Sequence, residues 1–144
     1  MKTRTRLDWA VLTIAVITLA SGVSQLVAPH FVLDMVAAQS TPTSAHFFAI
    51  IGMFMALFGA ALFHASVSSP PDAIVVLWAG VQKFAAVAAV GVGVERAIFS
   101  PAALLIASFD LVSGVVVITY WLTVRQTHRY LLAVHNSSAA VVSS

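Results

Sequence analysis

The chain has 144 residues, 60% of them hydrophobic and only 8% charged, with a net charge of +2 and a mean hydropathy of +1.00. So few charges cannot cover a water-facing surface, which excludes an ordinary soluble domain and points to a surface facing lipid. The absence of cysteine excludes disulfides, thiolate metal sites and a redox dithiol, and the scattered basic residues form no nucleic-acid-binding stripe.

A bilayer core takes about 20 consecutive apolar residues per helix. The first such stretch is Trp9 to Ala28, behind Lys2, Arg4 and Arg6 and ahead of Pro29. Residues 1–22 also carry a signal-peptide pattern, with a basic start, an apolar run and Ala20-Ser21-Gly22. An uncleaved anchor is the reading adopted, and cleavage would leave the orientation of the later spans unchanged. The segment from Pro29 to Ala45 contains His30-Phe31-Val32-Leu33-Asp34-Met35-Val36, whose pattern suits a short helix lying in the outer interface and capping the bundle. Ser40-Thr41-Pro42-Thr43-Ser44 then breaks the chain before a second span, His46 to His64.

Ser68-Ser69-Pro70-Pro71-Asp72 separates this from a third span, Ala73 to Val94. Ser100-Pro101 reads as a helix start, with Ser as N-cap and Pro at the first helical position, opening a fourth span from Pro101 to Val124. The expected fold is all-α: an integral membrane, antiparallel four-helix bundle with short loops and an interfacial outer segment. It forms one domain over residues 1–130, and residues 131–144 are expected to be a flexible tail.

Lys2, Arg4 and Arg6 precede the first span, while Arg125 and Arg129 follow the last. Four crossings put both groups on one side, which the positive-inside rule makes cytoplasmic. Trp9, Tyr120 and Trp121 fall at that boundary as interface anchors. Small residues at helical spacing mark close-packing faces: Gly52, Ala56 and Gly59 on the second span, Ala85, Ala89 and Gly93, four apart, on the third, and Ala103, Ala107 and Gly114 on the fourth. Packing also accounts for the Gly91-Val92-Gly93 step.

Polar residues collect in the outer half. Lys83 lies near the middle of the third span beside Gln82, and Asp110 lies inside the fourth. A charge at such depth costs about 3 kcal/mol on insertion scales, so neither should face lipid. Counting 1.5 Å per residue from the turn near Phe99-Ser100 puts Asp110 about 16 Å deep and Lys83 about 24 Å deep, a difference a lysine side chain spans. The two are therefore expected to pair, either as a pin for the hairpin or as part of a binding site. Gln25, His46, Gln82 and Glu95 complete the candidate binding set, and Thr18 and Ser21 continue the stripe of Gln25 on the first helix. The histidines do not suit a haem. His46 and His64 share a helix face but sit about 27 Å apart, and His128 lies beyond its span. No nucleophile–base constellation, phosphate loop or metal cluster is visible, so no catalytic residue and no metal ligand is assigned.

Three segments, HFFAIIGMFMALFGAALFHA (46–65), QKFAAVAAVGVGVERAIF (82–99) and SFDLVSG (108–114), together with the outer Pro-His-Phe-Val-Leu-Asp run, resemble the BphX-like small membrane proteins. The layout is similar to the wider DoxX-like group. The resemblance covers most of residues 7 to 124 and implies a four-helix protein of the bacterial inner membrane. DoxX relatives belong to quinone-linked sulfur oxidation, so the resemblance implies a lipophilic, quinone-like ligand and a partner protein, and it transfers no catalytic residue.

The sequence thus leads to a non-enzymatic accessory or binding subunit, in the bilayer as a homo-oligomer or within a larger membrane complex, with an outer-half pocket for a small lipophilic molecule. The alternatives are a proton- or ion-coupled transporter using Lys83, Glu95 and Asp110, or the membrane component of a quinone-linked redox system.

Overall fold

The computed structural model describes residues 4–142, with side chains as far as residue 126. The described residues form five helices: α1 (Arg6–Val27), α2 (Pro29–Met35), α3 (Pro42–Val67), α4 (Ala73–Glu95) and α5 (Ala103–Val142). Four of them, α5 through its segment Ala103–Gln126, are long and apolar enough to cross a membrane. Their outward faces fit that medium, since Val27, Phe47, Leu57, Leu105 and Val112 are all exposed. In water such a surface would aggregate, whereas in lipid it costs nothing.

Local chemistry places the helix starts. Thr5 caps α1 in a reciprocal capping box with Asp8, and Thr41 does the same for α3 with Ser44. With Pro42 at the first helical position, α3 therefore begins ahead of His46, inside the run of turn-forming residues expected to break the chain. The Asp72 carboxylate accepts from the Ile74 and Val75 amides to cap α4. The fourth span starts differently from the expectation. Ser100 and Pro101 do not form its N-cap and first turn; their carbonyls accept from Ala103 and Leu104 in a tight turn, and α5 proper begins at Ala103. The reason is visible in the Ser100 amide, which donates to the Val36 carbonyl and so ties this turn to the end of α2. At the other end α5 continues to Val142, through the expected tail, in a stretch with neither Gly nor Pro to stop it.

The four long helices form a ring. α1 lies chiefly against α3, α4 chiefly against α5, and the α3–α4 and α1–α5 contacts that close the ring are sparser. Glycines explain the first pair. A Cβ on Gly22 would sit 2.3 Å from the Ala56 amide nitrogen, and one on Gly59 would sit 2.5 Å from that of Leu19. The two backbones therefore meet directly, Gly22 against Gly52 and Ala56, with antiparallel register. Gly52, Ala56 and Gly59 form the packing face expected of them.

On α4 the expected face is not the packed one. Ala85 and Ala89 are exposed, while Val76, Ala79, Gly80 and Lys83 are buried against α5. Lys83 determines this rotation: burying its charge beside Asp110 outweighs the choice among several stripes of small residues. Gly93 is indeed a packing glycine, pressed by the Phe99 ring, but Gly91 has open space where a side chain would be. Ala103, Ala107 and Gly114 are buried on α5 as anticipated.

The two ends of the bundle differ. Toward the chain termini, Val11, Leu62, Val76 and Val117 fill a continuous core with Tyr120 and Val124. Tyr120 hydrogen-bonds Asp8 across the α1–α5 contact. Trp9 and Trp121 carry Arg4 and Arg125 over their rings at 5.5 and 5.3 Å. Toward α2, the helices part.

Candidate functional site

At the α2 end a cavity of about 350 Å³ opens between α3 and the α4–α5 pair. Its walls are Phe48, Ile51, Phe54, Met55 and Phe58 from α3, facing Ala86, Ala89 and Val90 from α4. Short side chains on one wall opposite large ones on the other leave a gap that neither fills. Val32 and Val36 of α2, with Phe99 of the following turn, form its roof. Gln25, Gln82 and Asp110 bring the polar atoms. The volume lies in the range of ligand sites, which are mostly apolar with a few placed polar groups.

The roof is built from two helix endings of one type. After α2, the Ala37 amide donates to the Asp34 carbonyl and that of Ala38 to Leu33. After α4, Ala97 donates to Val94 and Ile98 to Gly93. Both are Schellman endings, which require a left-handed residue just past the helix and normally use glycine. Here alanines occupy those positions, Ala37 at φ 51° and Ala97 at φ 55°. The Ser100–Val36 hydrogen bond, 3.1 Å, joins the two endings.

Beneath the roof lies the ion pair. Lys83 Nζ donates to Asp110 Oδ1 at 2.6 Å, and the two side chains are only 1% and 8% exposed. The pairing inferred from depth below the turn is therefore present. Gly114 makes it reachable, since a Cβ there would come within 3.2 Å of the Lys83 Cβ. The ammonium also lies 5.6 Å from the centre of the Phe109 ring, a second favourable contact for a buried cation. Removing either partner would strand a charge in a low-dielectric interior.

The candidate residues separate into two groups. Gln25, Gln82 and Asp110 line the cavity, and Lys83 holds Asp110 from behind without lining it. His46 and Glu95 are exposed and lie outside the lining. His46 turns to the surface beside Phe47, with ring centroids 6.3 Å apart, and Glu95 ends α4 one residue before its cap. Of the stripe on α1, Thr18 is buried with its hydroxyl unpartnered among the described residues, Ser21 is half-buried, and Gln25 reaches the cavity. The residues that sequence reasoning missed are the apolar ones. Phe48, Phe54, Phe58 and Phe99 are indistinguishable by composition from lipid-facing aromatics, and only their position across from small residues of α4 reveals them. Among the described residues, no group of three or more His, Asp or Glu is placed to hold a metal ion.

No family model matches the chain, and neither a curated protein nor a solved structure matches it.

Proposed function

We propose that the chain is a non-enzymatic binding or accessory subunit of the bacterial cytoplasmic membrane, with both termini cytoplasmic, which holds a small lipophilic molecule in the α2-end cavity. The observation that carries this reading is the cavity itself, an apolar space with three polar groups at its margin and an ion pair buried behind one of them. The resemblance to BphX-like and DoxX-like proteins belongs to the same proposal and favours a quinone-like molecule and a membrane partner. Native mass spectrometry of the protein released with its lipids tests it. The expected result is a bound small molecule on the wild type that is lost from Ala86→Trp, which fills the cavity. A wild-type chain carrying neither ligand nor partner overturns the reading.

Coupled transport stands second. The Lys83–Asp110 pair favours it, as charges inside a span often mark ion paths. The packed core of Val11, Leu62, Val76 and Val117 toward the termini weighs against a path through one chain. Liposome flux that survives Lys83→Met and Asp110→Asn unchanged would remove it.

A further inference from the structure

The polar groups around the cavity are of unequal kind. Asp110 lines it, and Lys83 occupies one carboxylate oxygen while the other has no hydrogen-bond partner among the described residues. Gln25 directs its amide nitrogen to the Met55 sulfur at 3.4 Å, which leaves its oxygen and one N–H open among the described residues. Gln82 makes no side-chain hydrogen bond among the described residues and offers either role. The Lys83 ammonium, the group that could have supplied donors, stands behind Asp110 and outside the lining. The glutamine amides can act as donor or acceptor, but the open oxygen of Asp110 can only accept, and an occupant that completes it must bring an N–H or O–H.

Charge narrows the class further. Lys83 and Asp110 neutralise one another, so a cationic occupant would leave a net charge in an apolar chamber. An anionic one would meet the open oxygen of Asp110 directly. The occupant is thus neutral. Four phenylalanine rings, Phe48, Phe54, Phe58 and Phe99, face the space. Since a cavity of about 150 Å³ accepts benzene, this one has room for a ring and a tail.

Resting on the reading that the cavity holds a lipophile, we infer that it selects a neutral hydroxyl-bearing aromatic, a phenol or hydroquinone, whose O–H donates to the open oxygen of Asp110. Within the quinone-like class this favours the reduced form, because a quinone can accept from the glutamine amides but leaves the open oxygen of Asp110 without a donor.

The test is equilibrium dialysis of the full chain in phosphatidylcholine nanodiscs, corrected with empty discs, using three probes of one shape: 4-propylphenol, 4-propylanisole and 4-propylbenzylamine. The phenol is expected to bind at least about tenfold more tightly than its methyl ether, the worth of one hydrogen bond to a charged acceptor. The double variant Lys83→Met/Asp110→Leu, apolar and charge-balanced, should lower phenol binding to the level of the ether and leave the ether unchanged. Equal binding of phenol and ether overturns the donor requirement and leaves the cavity reading standing. Preference for the amine overturns neutrality. Binding of none of the three above empty discs overturns the cavity reading together with this one.

Discussion

The two halves of the bundle are made from the same apolar alphabet and behave oppositely. Toward the termini, Val11, Leu62, Val76 and Val117 interlock, and the boundary is anchored by Trp9 and Trp121 under their arginines. Toward α2, large side chains of α3 face alanines of α4, and about 350 Å³ is left between them. Hydrophobicity does not distinguish the halves, because in lipid it drives neither of them together. Matching of size across the α3–α4 contact does. The lesson is that in a helix bundle of this composition a cavity opens where side-chain sizes mismatch across a contact, and the helices close up where small residues let backbones touch.

The difference can be broken at its most costly point first. Asp110→Leu alone leaves Lys83 charged and buried, and should destabilise the fold by about 3–5 kcal/mol in a thermal or SDS unfolding series. Lys83→Met/Asp110→Leu should recover most of that loss, because a buried pair replaced as a pair costs little. If the single variant is as stable as the double, the ion pair is not what pins α4 to α5.

Next is a contrast of two truncations. Leu62→Ala, in the filled half, opens a void and should cost about 2–5 kcal/mol, whereas Met55→Ala enlarges an existing space and should cost about 1 kcal/mol. Equal costs would mean the cavity is collapsed in the membrane. Gly22→Ala puts a methyl group against the backbone of α3, and overpacking of this kind should cost about 1–3 kcal/mol, read as a lower midpoint in the same series. The smallest effect has the opposite sign. Ala97→Gly relieves a left-handed alanine in the roof and should stabilise by about 0.5 kcal/mol, after the entropy cost of the added glycine.

Much of this was legible in the sequence, and for identifiable reasons. The spans follow from length and apolarity. The Lys83–Asp110 contact follows from counting rise per residue down each arm of a hairpin, a calculation that needs no side-chain detail. Gln25 and Gln82 share the depth of the ion pair, and both line the cavity. His46 and Glu95 share that depth as well but face outward, since depth says nothing about rotation about the helix axis. The packing face of α4 was misread for the same reason. Its alanines and glycines offer several competing stripes, and the stripe through Lys83 is the one used because it alone hides a charge. Gly22 passed unnoticed because a lone glycine shows its purpose only against Gly52 and Ala56 on another helix. The cavity itself was beyond reach in size and shape, being a property of two surfaces rather than of any one segment.

The backbone contact of α1 with α3 has a mechanical consequence. It joins those two helices as one rigid slab, while Lys83, Gly80 and Gly114 join α4 and α5 as another. The cavity lies along the sparser seam where the slabs meet. A small slide of one slab along the other would reshape the cavity while leaving the glycine contacts within each slab intact.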